Sequence, residues 1–413
     1  MLRPVRTAVV VASALLLASH AAGEDPPPPS EQPPARARRV QDVDGPTRRS
    51  VAEALAFPRR DGDGRRFEAA ERALQRGLDW LAARASETPD GALPPLGVDP
   101  RDGHGFAPVA TDALAALAWM GAGNPPARGP HGALVRAAID RLLARCEIDP
   151  SAESQGYIAQ DGDGLSRTHG HGFATLALAQ AWTMSPRTER GGRIARVLPL
   201  ALRCIEGSQG LEGGFWYTPR KSLEHEGSIT ITLVQALRGA RDAGARVDPA
   251  TIARAVEYVK RSQKPDGSFR YALGDPASSV ALTAAAVSTL NAAGTYGGTE
   301  VEEGWAWLFR ALAARREPAA ANAPNPLDPS SWKKDARRLY CRFYERLYVA
   351  QCLWQHADPG VFDAWERDET RAVLVTQQDD GSWRDPQFGD AYATAMNCLY
   401  LEVPLGLLPI FQR

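Results

Sequence analysis

One kind of segment recurs along the chain and limits what the chain can fold into. His169-Gly170-His171-Gly172-Phe173 leads into Ala174-Thr175-Leu176-Ala177-Leu178-Ala179. With Thr175 as the anchor, related stretches begin at Thr111, Thr230, Thr283, Tyr348 and Thr394, six copies spaced 46 to 65 residues apart. Such self-similarity is the mark of a repeat architecture. Each copy is dominated by Ala, Leu, Val and Thr with few charges. A helix that is apolar all round must be covered on every side.

The segments between the copies read differently. Ala70, Leu74, Leu78 and Leu81 fall on one face at helical spacing, as do Ile252, Ala255, Val256 and Val259. Asp248-Pro249 supplies an N-cap and a first-turn proline to the second of these. Further amphipathic helices are expected near 134–146, 193–205, 305–313 and 362–376. Six half-exposed helices alternating with six covered ones give an all-α double ring, an (α/α)6 toroid over residues 66–413. Strict alternation makes the inner helices run the same way. Their N-termini, the positive poles, then meet at one end of the ring and form the mouth of a pocket.

The links from outer to inner helix carry a second repeat. Gln209 to Trp216 (Gln-Gly-Leu-Glu-Gly-Gly-Phe-Trp), Gln263 to Phe269 (Gln-Lys-Pro-Asp-Gly-Ser-Phe) and Gln377 to Trp383 (Gln-Gln-Asp-Asp-Gly-Ser-Trp) are its good copies. Pro89-Asp90-Gly91 and Gln160 to Gly164 are weaker ones. In each, Asp-Gly closes a turn, the aromatic packs back on the helix pair and Gln can bond a neighbouring helix end. Asp161-Gly162-Asp163-Gly164 lacks the closing acidic ligand of an EF-hand calcium loop. The Gln-x-x-Asp-Gly-Ser-Trp/Phe turns resemble the glutamine–tryptophan repeat of the squalene–hopene cyclase and protein prenyltransferase superfamily. That resemblance covers most of residues 66–413 and implies the same (α/α)6 toroid.

The chemistry implied by the resemblance is largely missing. Class II terpene cyclases carry Asp-x-Asp-Asp-Thr-Ala at the start of an inner helix, with the middle Asp as proton donor. Thr283-Ala284 and Thr394-Ala395 match its end. The donor position, two residues before each anchor, holds Val109, Phe173, Ser228, Ala281, Arg346 and Tyr392, none of them acidic. Only Asp390 stands where the first Asp of the motif would be. The Asp-x-Cys pair of the prenyltransferase zinc site and the Gly-Cys-Gly-Glu-Gln element of thioester domains are absent from the sequence.

A different polar set falls at the expected mouth. His169, His171, His225 and Glu226, from two adjacent inner helices, could hold a divalent metal through nitrogen and oxygen ligands, or could cap helices there. Asp390, His171 and Glu226 are the candidates for acid–base catalysis. Tyr344, Tyr348, Tyr392 and Phe173 are the aromatics best placed to line an apolar ligand cavity. The function expected is therefore binding of an apolar, isoprenoid-like molecule or a protein partner at the mouth. The alternative is an enzyme using these polar residues.

Bulk properties narrow the partners. A formal net charge of −1 over 413 residues points to neither nucleic acid nor an anionic membrane surface. Arg3 and Arg6, the apolar run Ala8–Ala18 and the small residues Ser19 to Gly23 read as an export signal over 1–23. Its apolar run is too short to span a bilayer, so no membrane span is expected. Residues 24–65, rich in Pro and Arg, are expected to be a disordered linker. The stretch 315–338, with Pro318, Pro324, Pro326 and Pro329, is expected to be a surface loop. Five cysteines leave at least one thiol unpaired within the chain. They read as small buried hydrophobes, with Cys146–Cys204 and Cys352–Cys398 as conceivable disulfides.

Overall fold

The computed structural model describes residues 64–94, 107–164, 166–294, 297–315 and 341–411. The export signal, the linker up to residue 63, Phe106 and the loop 316–340 lie outside the described residues. The chain divides into two units, Met1–Thr47, which lies wholly outside them, and Arg48–Arg413.

The described residues are all-α, with helices and no named strands. The outer series is α1 (Gly64–Ala85), α3 (Gly132–Ala144), α5 (Glu189–Ser208), α7 (Pro249–Arg261), α9 (Thr299–Ala314) and α11 (Pro359–Thr376). The inner series is α2 (Pro108–Gly121), α4 (Arg167–Met184), α6 (Gly227–Asp242), α8 (Val280–Ala292), α10 (Arg342–Trp354) and α12 (Asp390–Glu402). All six anchors fall within the inner series.

The contrast in burial follows the sequence pattern. From Val109 to Gly121 every residue of α2 is buried, and so is every residue of α8 from Val280 to Asn291. In α7 only one face is buried, with Ile252, Ala255, Val256 and Val259 on it. Its start is fixed as the sequence suggested: Asp248 accepts from the Ala250 N–H at 3.0 Å, and Pro249 opens the helix. The same device starts α11, where Asp358 accepts from Gly360 N–H at 2.8 Å ahead of Pro359.

The inner helices form a closed cycle of neighbours. α2 packs on α4, α4 on α6, α6 on α8, α8 on α10, α10 on α12, and α12 back on α2. The outer helices pack against this cycle.

The two sequence repeats are parts of one device. In the good turns the glutamine Nε2 donates twice. Gln209 reaches Gly213 O and Thr251 O, both at 2.9 Å. Gln263 reaches Gly267 O at 3.2 Å and Glu300 O at 2.7 Å. Gln377 reaches Gly381 O at 2.9 Å and Ala73 O at 2.8 Å. Each glutamine thus ties its own turn to the next outer helix, and Gln377 ties the last of these turns back to α1. The turn aromatic then donates its backbone N–H to the anchor threonine: Phe215 to Thr230, Phe269 to Thr283 and Trp383 to Thr394, at 3.0, 3.1 and 3.0 Å. Buried donors need such partners.

The segment after α12 lies against the C-terminal ends of α2, α6 and α10. Leu408 approaches the end of α2 at Gly121, Ile410 approaches Gly239 of α6, and Trp354 Nε1 at the end of α10 donates to Phe411 O at 2.8 Å. Leu408 and Phe411 are buried.

All five cysteines are free thiols. Cys146 falls just past α3, in a bridge with Ile158, rather than within the helix. Cys398 faces Leu74 of α1 and Cys352 the Ser288 backbone of α8, so these two point to different neighbours.

Candidate polar site at the N-terminal ends of the inner helices

Glu226 is the N-cap of α6 and is fully buried. Its carboxylate accepts from Ser228 N–H at 2.9 Å, Ile229 N–H at 2.7 Å and Ser228 Oγ at 2.8 Å, and from the Tyr271 side chain. Burial raises its pKa to about 7, against the pull of those hydrogen bonds. Tyr271 in turn meets the Tyr217 hydroxyl in a short hydrogen bond.

His169, in the first turn of α4, reaches across to α6: its Nε2 lies 3.1 Å from Ser228 Oγ. The ring is half-buried, with Tyr217 at 6.1 Å between centroids. Burial and the Arg167 charge lower its pKa to about 4, so it is neutral at pH 7. A continuous chain of hydrogen bonds therefore runs Tyr217–Tyr271–Glu226–Ser228–His169. Tyr344 and Cys341, at the start of α10, lie within electrostatic reach of Glu226.

The remaining candidates are dispersed. His171 is buried and accepts the Ile158 N–H through Nδ1 at 3.1 Å. In this repeat it takes the place that the anchor threonine holds in the good turns. Burial lowers its pKa to about 4. His225 turns outward to Tyr258 of α7, with Nδ1 3.1 Å from the hydroxyl. Asp390 opens α12 and is buried, bonded to Arg384 and, at 3.1 Å, to the Asp385 N–H. His171 and Asp390 are thus engaged elsewhere than with Glu226. Among the described residues no group of three or more His, Cys, Asp or Glu side chains comes together to hold a metal. The set His169, His171, His225 and Glu226 is not brought together there: His169 faces Ser228, His171 faces Ile158 and His225 faces Tyr258.

The aromatics divide as well. Tyr344 is half-buried and meets Tyr348 in a tilted ring contact with centroids 4.4 Å apart. Tyr348 is 1% exposed and donates to Gln235 Oε1 at 3.0 Å, and Gln235 bonds Gln351 at 2.8 Å. These bonds link α10 to α6 directly, and Tyr348 lines a small cavity with Val234, Gln235 and Arg238 of α6 and Ser288, Thr289 and Ala292 of α8. Phe173, one turn on from His169, is 8% exposed. Tyr392 is half-buried, against Phe343 and Phe388. Ser228, at the position where the cyclase motif places its acid, and Tyr271 have no local spacing in the sequence that marks them as site residues.

No family model matches the chain. Over 193 residues, 45% of its length, it is 31% identical to a drimenyl diphosphate synthase from Streptantibioticus cattleyicolor, and the match spans 32% of that protein. The chain spans about a third of the length of that relative. Among solved structures it is similar to a variant of the type II terpene cyclase MstE from Scytonema in complex with geranylgeranyl dihydroxybenzoate. The identity is 12% and the TM-score 0.49, over 84% of this chain and 99% of that one. A protein from Actinoplanes gives 17% and 0.49, over 82% and 99%. No helix among the described residues is long and apolar enough to cross a membrane.

Proposed function

We propose that the chain is an exported, terpenoid-cyclase-like (α/α)6 toroid that takes an apolar, isoprenoid-like ligand through the mouth at the N-terminal ends of its inner helices. One observation carries this reading. Leu408, Ile410 and Phe411 lie against the C-terminal ends of α2, α6 and α10, while the N-terminal end of the cycle keeps half-buried His169, Ser228, Tyr344 and Tyr392. The N-terminal end thus presents aromatic and polar groups together. The closed cycle of inner helices, the glutamine turns and the similarity to a drimenyl diphosphate synthase support the toroid and the ligand class. Titration of farnesol into the chain from Glu24 onward, followed by calorimetry, tests it. Saturable binding that Phe173→Asp abolishes is expected. No saturable binding by isoprenoid alcohols of any chain length overturns the reading.

Catalysis at the same mouth is a second reading, favoured by Glu226. It is a carboxyl that titrates near neutrality and is joined through Ser228 to His169. Metal assistance and pairing with Asp390 form no part of it.

A further inference from the structure

Ser228 carries the one aliphatic hydroxyl in the hydrogen-bonded chain at the mouth. It is the second residue of α6, so its Oγ sits at the positive pole of the helix. Its backbone N–H alone would serve the cap made by Glu226. The hydroxyl does more: Oγ donates to Glu226 Oε2 at 2.8 Å and lies 3.1 Å from His169 Nε2 on the neighbouring inner helix. A nucleophile held between a carboxylate and an imidazole, each within hydrogen-bond reach, is the arrangement that activates serine. Ser228 and His169 are both half-buried, whereas the carboxylate is fully buried, so the two groups that would meet a substrate are the two that are reachable. Tyr271 holds the carboxylate on its other side.

We propose that Ser228 is an acyl-accepting nucleophile, with Glu226 as its proton acceptor and His169 as a positioning donor, acting on an ester of an apolar acyl group. The inference deepens the second reading and takes its substrate class from the apolar ligand proposed for the mouth, where Tyr344 lies within electrostatic reach of Glu226. Ser228 Oγ attacks the ester carbonyl carbon, and its proton passes to Glu226 Oε2. The carbonyl π pair moves to oxygen, beside the His169 Nε2–H. Collapse expels the alcohol oxygen, which takes the proton back from Glu226. Water then repeats the sequence on the acyl-serine and releases the carboxylic acid and free Ser228. Ester and water become acid and alcohol, with no outside oxidant or reductant.

The test uses a short-chain alkyl fluorophosphonate, which loses fluoride to an activated serine and needs no isoprenoid recognition. The chain from Glu24 is incubated with it and read by intact mass and peptide mapping. One adduct is expected, on Ser228. It should be missing from Ser228→Ala and slowed about 100-fold in Glu226→Gln, the low end of what a positioned proton acceptor supplies. His169→Gln should slow it without lowering the melting temperature by a comparable margin. No adduct, or an adduct on another residue, overturns the proposal. If Ser228→Ala does not fold, the peptide map of the wild-type chain decides. Failure to label a chain that still binds farnesol removes the nucleophile and leaves the binding reading intact. Labelling of a chain that binds no farnesol upholds the nucleophile and removes the ligand class.

Discussion

Gln377 Nε2 donates to the backbone carbonyl of Ala73, 304 residues earlier, at 2.8 Å. The same nitrogen holds Gly381 O, so one side chain closes its own turn and joins the last turn to the first helix. Arg76 reinforces the seam by donating to Gln378 O and Asp379 O, both at 2.8 Å. Gln377→Ala removes both glutamine bonds and leaves two carbonyls short of a donor. The expected loss is about 2 kcal/mol, read as a lower urea midpoint at unchanged slope. Gln263→Ala, at an internal turn, should cost about as much. A loss confined to Gln377 would mean that closure matters and the turn does not.

The anchor threonines make a sharper prediction. Thr283→Val keeps shape but strands the buried Phe269 N–H, and Thr394→Val does the same to Trp383. Each should cost about 1–3 kcal/mol, the penalty of an unpaired buried donor. Thr→Ser at the same positions keeps the acceptor and should cost distinctly less.

The turn glycine is equally constrained. Gly213 has φ +88, and a Cβ there would lie 2.4 Å from Arg254 O on the next outer helix. Gly267 and Gly381 repeat the geometry, against Glu303 O at 2.4 Å and Arg76 O at 2.6 Å. Gly213→Ala combines unfavourable backbone with a clash against main chain that cannot swing away, and should cost at least about 2 kcal/mol. A neutral result in thermal unfolding would contradict the turn geometry.

These positions explain why the fold could be read from the sequence. Thr230, Thr283, Thr394 and the three glutamines each bind backbone, so the same residue type recurs wherever the same backbone geometry recurs. The apolar inner helices and the Asp248 cap were legible for equally local reasons. The polar site was not. Whether His169 meets Ser228 depends on how α4 and α6 are set against each other, which no single-helix spacing encodes. His225 and Glu226 are consecutive, yet one turns to Tyr258 on α7 and the other is buried as the α6 cap. His171 stood in the anchor motif as a candidate for chemistry, and it serves Ile158 as the threonines serve their aromatics.

The titration of Glu226 supplies a pH test. Its folded pKa is raised to about 7 from 4.5, so the folded state holds the proton more tightly than the unfolded chain. The stability this contributes is fully present below about pH 4.5 and is lost as pH rises through 7. Tyr344 and Cys341 near it are both raised by burial and stay neutral across that window, and His169 is neutral above about 4. Glu226→Gln should therefore flatten the part of the stability profile that falls between pH 4.5 and 7. His169 and His171 act with the opposite sign: both are lowered to about 4, so their contribution is present above 6.5 and is lost as pH falls towards 4. His171→Gln should reduce acid sensitivity in that range, and denaturant midpoints taken at half-unit pH steps read both effects.

Native mass spectrometry of the chain from Glu24, purified without chelator or detergent, tests most directly whether the N-terminal ends of the inner helices hold an apolar molecule. An added lipid-sized mass is expected, removed by organic extraction and absent from Phe173→Asp, with no added mass of a divalent metal. A bare chain mass in every preparation would contradict it and make the same surface a docking scaffold. A bound metal would contradict the separation of His169, His171, His225 and Glu226 on which the site rests.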